Sequence, residues 1–372
     1  MNSTRKEILF LLHLPPPVHG SSVVGEQIRQ SILINDAYKG RYINLILSRK
    51  VSDSGKTSLM KIFRLVKIWL KLLATLLNHK PDLCYYALTT TGSGFRKDVM
   101  LITLLRLFHV PIVYHIHNRG IRKEKKGRLS ELLYHFVFSN TPVILLSRHL
   151  YYDVETYVPK ANVYYCPNGI SDYQPRIALL SRAEIIPFRI LYFSNLMKEK
   201  GVYFLVDACK ILNDKGHHIQ CDFVGGEIDI TGQELIDYAA ERGLSEQVHY
   251  LGKRYGKLKE MVFEEADLLV LPSHYDCFPL VILEAMQHRL PVITMAVGGI
   301  ADMVDDGVTG YLLHPDIQVG ELADRIEQLI MHPALCQEMG ENGRLKYESH
   351  FTLAIFERKL LSILEDVIIN NG

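Results

Sequence analysis

The chain has 372 residues, room for two ordinary domains, and its 48% hydrophobic content can fill two cores and excludes a disordered chain. The net charge of +1 hides an asymmetry: residues 1–175 hold 24 Lys and Arg against 11 Asp and Glu, whereas residues 176–372 hold 18 against 30. The basic half either faces something anionic or is attracted by the acidic half.

Residues 7–14 (EILFLLHL) predict a first strand; the apolar stretch is too short, and lacks a small-residue cleavage site, for a signal peptide. Residues 12–22 (LHLPPPVHGSS) then turn through a proline-stiffened loop into a helix that Gly20 opens. A glycine there lets a ligand approach free amides at the helix start, or it marks a tight turn with Ser21 or Ser22 as N-cap. A strand at 41–47 (RYINLIL) precedes a helix at 59–77 (LMKIFRLVKIWLKLLATLL). From Lys56 to Lys80 there are six Lys and Arg and no acid. At 3.6 residues per turn Arg64, Lys67 and Lys71 share a narrow stripe with Lys61 at its edge, and the rest of the circumference is apolar. That arc reads as partly lipid-facing, or as a broad core face with a solvated lysine stripe.

A strand at 82–88 (DLCYYAL) runs into TTTGSGFRKD at 89–98, which offers G-x-G without the third glycine of a dinucleotide fingerprint. After a helix at 99–108 comes the strand 111–117 (PIVYHIH). His115 and His117, two apart, share a strand face; a zinc site would need a third ligand, and none has motif spacing nearby. They read as structural histidines or as site residues at a strand end. A second basic cluster, RGIRKEKKGR at 119–128, follows, then a helix at 131–138 and a strand at 141–147. Strands alternating with helices predict a parallel sheet covered on both faces.

Residues 167–188 break the pattern with turn residues. Alternation restarts with strands at 189–196, 218–226, 247–253, 267–273, 291–297 and 310–315. In SNLMKEKG, Asn195 and Lys200 lie just before a helix; Lys200 suits a diphosphate leaving group, whereas Lys198 reads as solvated. In LPSHYDCFPLVILEAM, Asp276 precedes a helix that carries Glu284, and Phe278, Pro279 and Leu280 sit at its start. Free amides there suit phosphate or sugar oxygens; equally, Asp276 reads as an N-cap and Glu284 as an ion-pair partner. The six cysteines form no C-x-x-C pair and read as reduced core residues of a cytoplasmic protein. No stretch is long and apolar enough to span a bilayer.

The pieces SNLMKEKG, FVGG, VHYLGK, ADLLVLPS, DCFPLVILEAM and VGGIADMVDDGVTGYLL at 190–313, with PPPVHGSS and HIHN in the first half, resemble the retaining GT-B glycosyltransferases numbered family four. That is the large family of bacterial polysaccharide and lipopolysaccharide transferases. The resemblance implies an α/β protein of GT-B fold, with two doubly wound Rossmann-like domains facing across a cleft. The expected domains are 1–172, on the acceptor side, and 173–351, which binds the nucleotide-sugar; a C-terminal helix at about 352–372 packs back on the first.

By the same resemblance Glu284 binds the donor ribose and Asp276, in place of the family glutamate, contacts the transferred sugar. Amides near Phe278–Leu280 hold sugar or phosphate. Lys200 meets the diphosphate, while Asn195 stands where the family usually has Arg. Gly20 lies near the phosphates, His117 near the sugar with His115 as fallback, and Arg254, with Tyr255, near the base. No Asp-x-Asp pair occurs in the chain, so no metal is expected, nor any cofactor or nucleic-acid partner.

The implied reaction is retaining transfer from a nucleotide diphosphate-sugar, UDP by default, to a saccharide or lipid-linked saccharide in cell-surface polysaccharide assembly. The leaving phosphate takes the acceptor proton. A nucleotide-sugar 2-epimerase and a non-catalytic binding module are the rivals. The expected location is cytoplasmic, with the basic clusters as a peripheral contact to an anionic inner membrane face.

Overall fold

The computed structural model describes residues 5–47, 59–124, 127–173 and 187–370. Lys56, Lys125, Lys126 and most of the predicted break at 167–188 lie outside them. The chain forms two compact units, residues 1–168 with 354–372, and residues 169–353.

Unit 1 runs β1 (Glu7–Leu12), α1 (Gly20–Gln30), α2 (Ile32–Ala37), β2 (Lys39–Asn44), α3 (Leu59–Asn78), β3 (Leu83–Leu88), α4 (Gly92–Leu107), β4 (Ile112–Ile116), α5 (Arg128–Phe138), β5 (Val143–Leu145) and β6 (Val163–Tyr165). All strands pair in parallel, in the order β2-β1-β3-β4-β5-β6. The inner strands are buried on both faces, as a sheet with helices on each side requires. One core cluster takes alternate strand residues (Leu9 and Leu11; Cys84, Tyr86 and Leu88; Tyr114 and Ile116) together with Leu72 of α3, Leu101 of α4 and Tyr134 of α5. Period-two alternation therefore puts α3, α4 and α5 on one face of the sheet. Strand β6 was not anticipated: three half-buried residues carry too little apolar pattern to be read.

Unit 2 runs β7 (Phe188–Phe193), α6 (Val202–Asp214), β8 (Ile219–Val224), α7 (Gly232–Ala240), β9 (Val248–Gly252), α8 (Lys257–Glu265), β10 (Leu268–Leu271), α9 (Leu280–Gln287), β11 (Val292–Met295), α10 (Ile300–Met303), β12 (Gly310–Leu313), α11 (Val319–Met331) and α12 (Pro333–His350). The strand order is β12-β11-β10-β7-β8-β9, all parallel, so the winding reverses between β7 and β10. Ligands of such sheets bind at the carboxyl ends of the strands beside that reversal.

The unit boundary falls a few residues before the expected 172/173. Ile170 bridges Thr352, and Arg344 grips the Asp172 carboxylate with two bonds of 2.7 and 3.0 Å. Helix α13 (Leu353–Asn370) belongs to unit 1 almost entirely, where Tyr164 bonds Asp366. All six cysteines are free thiols, and five of them are buried.

Candidate active site

In unit 2 the strand ends β7 and β10 meet through one glycine. After β7 the chain makes a single tight turn at Lys198–Lys200 and leaves it through Gly201, at φ +75°. A methyl group on Gly201 would lie 2.2 Å from the Pro272 carbonyl, so only glycine allows this approach. The contact brings Lys200 against the loop that follows β10. Its Nζ lies 2.7 Å from Asp276 Oδ2 and donates to the Tyr275 carbonyl at 2.8 Å. A backbone bond from His274 to the Glu199 carbonyl ties the same two segments. On its other side the Asp276 loop meets Gly298, at φ +57°, whose added methyl would lie 2.2 Å from the Asp276 carbonyl. Gly299 donates to the Cys277 carbonyl at 2.7 Å. A partly shielded ammonium is thus fixed at the strand ends, its charge offset by one carboxylate.

Beyond Asp276 comes α9. Pro279 is its N-cap residue, and no side chain caps the helix start. Pro279 has no N–H, so any donors of the 278–280 turn come from Phe278 and Leu280. The Phe278 ring is buried, edge-on to Phe351. Glu284, on α9, accepts from Lys259 Nζ at 3.1 Å. Lys259 also meets Glu260, which in turn pairs with His288. Burial works against the Lys259 ammonium, but Glu284 and Glu260 outweigh it and hold its pKa above the ordinary value.

Asn195 follows β7 and accepts from the Gly226 amide at 3.1 Å, joining the ends of β7 and β8. Gly225 is needed for this approach, because a methyl there would meet the Ser194 carbonyl; a methyl on Gly226 would lie 2.4 Å from Lys253 Cε and 3.0 Å from Asn195 Oδ1. Lys253, just past β9, therefore brings a second cation beside Asn195. The sequence marks it only as the end of the VHYLGK segment; its neighbour Arg254, the residue expected near the base, is half-buried here. Lys259 has no mark in the sequence, because its position on α8 carries no motif.

In unit 1, β1 ends at Leu12, and the proline loop after His13 leads to α1. Its N-cap is His19, not Ser21 or Ser22: the His19 amide donates to Ser22 Oγ at 2.9 Å, and that hydroxyl bonds the Pro17 carbonyl. A side chain on Gly20 would meet only open space, so the packing of the chain alone does not demand glycine there. His115 is wholly buried and pairs with the Tyr85 hydroxyl. His117, at the exit of β4, packs against it at a tilt, with ring centroids 4.2 Å apart. Burial first, then the neighbouring His19, pushes the His117 pKa down to about 4. His13 and His115 are lowered as well, chiefly by burial. The cluster is uncharged at neutral pH. His117 Nδ1 is buried without a hydrogen-bond partner. The glycine turn at 89–98 is different: Glu124 accepts the Gly92 amide at 3.0 Å and so occupies that helix start. Among the described residues no cluster of His, Cys, Asp or Glu could hold a metal ion.

Residues 186–346, which lie within unit 2, match the family model of glycosyl transferases group 1. Among curated proteins, alpha-D-kanosaminyltransferase of Streptomyces kanamyceticus is 29% identical over 178 residues, 48% of this chain and 45% of that one. The capsular polysaccharide biosynthesis glycosyltransferase CapM of Staphylococcus aureus is 27% identical over 176 residues, 47% of this chain and 45% of that one. The chain spans about half the length of these curated relatives. Among solved structures, Anabaena Alr3699/HepE in complex with UDP superposes with a TM-score of 0.72 at 18% identity, covering 97% of this chain and 100% of that one. The likeness at that identity shows the fold, which is of the GT-B type.

Proposed function

We propose that this chain, which matches the glycosyl transferases group 1 model over residues 186–346 and has a GT-B-type fold, transfers a sugar from a nucleotide diphosphate-sugar to a saccharide acceptor. The observation that carries this reading is the Lys200 ammonium, held 2.7 Å from Asp276 at the strand reversal of unit 2, within the segment that matches the family model. A diphosphate brought there meets a fixed positive charge beside a helix start with no side-chain cap. UDP is the donor nucleotide we assign, supported by the fold this chain shares with a protein solved with UDP. The acceptor we assign is a saccharide, free or carried on a lipid diphosphate, in polysaccharide assembly.

The bond between the anomeric carbon and the diphosphate breaks, and its electron pair leaves with the phosphate. The acceptor hydroxyl adds from the same face, and its proton passes to the departing phosphate oxygen. Configuration is retained, and neither a protein nucleophile nor a metal is used. Lys200 stabilises the charge that grows on the phosphate. Asp276 orients Lys200 with one oxygen and leaves the other for a hydroxyl of the transferred sugar. Glu284, steadied by Lys259, accepts from the ribose hydroxyls. Lys253 supplies charge that Asn195 cannot, and Arg254 borders the base. The amides of Phe278 and Leu280 donate to sugar or phosphate oxygens. In unit 1, taken by itself, neutral His117 offers an unspent ring nitrogen to a hydroxyl group, and Gly20 leaves open space at the start of α1.

The test begins with a panel of nucleotide-sugars screened for thermal stabilisation. The stabilising donor is then incubated with oligosaccharide acceptors in EDTA, and the product linkage is read by NMR. Retained configuration with full activity in EDTA is expected. An inverted linkage, or activity that returns only with added magnesium or manganese, refutes the mechanism. Conversion of the donor to an epimer without acceptor refutes the transferase.

A further inference from the structure

Helix α9 ends on a side chain that is held more firmly than a helix end requires. His288 is the C-cap residue, and its backbone amide closes the turn on the Ala285 carbonyl at 3.0 Å. The imidazole is buried as well, and Tyr173 and Phe263 both stack on it, with ring centroids 4.7 and 5.0 Å away. Each nitrogen has its own neighbour. Nδ1 lies 2.8 Å from the Glu284 carbonyl, and Nε2 lies 3.2 Å from Glu260 Oε2. A carbonyl oxygen accepts and cannot donate, so Nδ1 carries a proton. An attractive contact between Nε2 and the carboxylate then needs a proton on that nitrogen too. Burial works against the Glu260 carboxylate, but His288 and Lys259 outweigh it and hold its pKa below the ordinary value.

From His288 the contacts run back to the donor side of the same helix. Glu260 meets Lys259 at 3.2 Å, and Lys259 donates to Glu284 at 3.1 Å. A lysine ammonium on its flexible stem can sit in many places, and two carboxylates select one. Glu260 can do this because His288 holds it in turn. The circuit is closed, since His288 also donates to the Glu284 carbonyl one helical turn before it. The Glu284 carboxylate is thereby fixed relative to its own backbone by three side chains from two helices. An ion pair at a helix surface needs no such circuit; a carboxylate that must meet a ligand at one position does.

We propose that His288 is a positioning residue for nucleotide binding, which acts through Glu260 and Lys259 to fix the Glu284 carboxylate where it accepts from the donor ribose. The proposal rests on the assignment of Glu284 to the ribose.

The experiment is calorimetry of the full chain with UDP and with a UDP analogue that lacks both ribose hydroxyls. The ratio of the two dissociation constants reports what the hydroxyls contribute, about tenfold or more in the wild type. His288→Phe keeps a ring against Tyr173 and Phe263 and removes both nitrogens. Glu260→Gln, at a partly exposed site, keeps the shape and removes the charge. Each should raise the Kd for UDP about three- to tenfold and leave that of the analogue in place, so that the ratio shrinks. A variant that merely loosens the fold weakens both ligands alike and keeps the ratio. A wild-type ratio in Glu260→Gln, or in a His288→Phe that folds, overturns the role of His288 when Glu284→Gln abolishes the ratio, and the ribose assignment then stands. A wild-type ratio in Glu284→Gln overturns the ribose assignment itself, and the proposal with it.

Discussion

Replacing Lys200 by alanine separates the structural contribution of this ammonium from the catalytic one proposed for it. Its Nζ lies 2.7 Å from Asp276 Oδ2, with the two side chains only 16% and 15% exposed. Removing the ammonium strands a shielded carboxylate, which costs about 1–3 kcal/mol of stability. The loss of turnover is larger. A charge aimed at the leaving phosphate is felt most as the bond to the anomeric carbon lengthens, and removing one such group lowers kcat by about 10²–10³. That corresponds to roughly 3–4 kcal/mol of barrier. The two losses have different owners, and Asp276→Asn tells them apart. In Lys200→Ala/Asp276→Asn no charge is stranded, so the unfolding midpoint should recover while turnover stays low. Thermal unfolding gives the first quantity and release of nucleoside diphosphate the second. Near-normal turnover in Lys200→Ala would refute the leaving-group role. Recovery of turnover in the double variant would refute it as well, because the stranded carboxylate would then be the cause.

Lys259→Met should raise the Kd for the free nucleoside diphosphate by about tenfold with little change in kcat, since a freed Glu284 is less ordered; unchanged affinity by calorimetry would remove Lys259 from the site. Gly201→Ala should cost at least about 2 kcal/mol, because alanine strains a left-handed φ and meets the Pro272 carbonyl; a wild-type unfolding midpoint would contradict the close approach. Stability should fall with acid between about pH 6.5 and 4. His117, with a pKa of about 4 in the folded chain, binds fewer protons there than in the unfolded chain. The contribution is therefore whole above pH 6.5 and is lost as pH falls through 4, on the order of 1–3 kcal/mol for this half-buried ring. Chemical denaturation across that window reads it, and an unchanged slope in His117→Asn would show that other groups carry the effect.

Alternating apolar runs and helix-period segments were enough to read two parallel sheets, because a strand buried on both faces must be apolar throughout and its crossover helix must be amphipathic. Lys200, Asp276 and Glu284 stood out for a related reason: they flank the strand ends and helix starts that such sheets use for ligands. The order of the strands was not legible, since adjacency depends on contacts far apart in the chain. Only the folded chain set Lys200 on Asp276, through the room that Gly201 leaves beside Pro272. Lys253 and Lys259 had no local mark, because each gains its role from a residue about 25 to 60 positions away. Helix α3 shows the same division. Its hydrophobicity is written in the sequence, but which side meets the sheet was decided by Ile68, Leu72 and Leu76 docking there, leaving Phe63 and Leu70 outside. Composition and periodicity act over a few turns of chain and determine the elements; packing acts across the whole unit and decides which side chains meet.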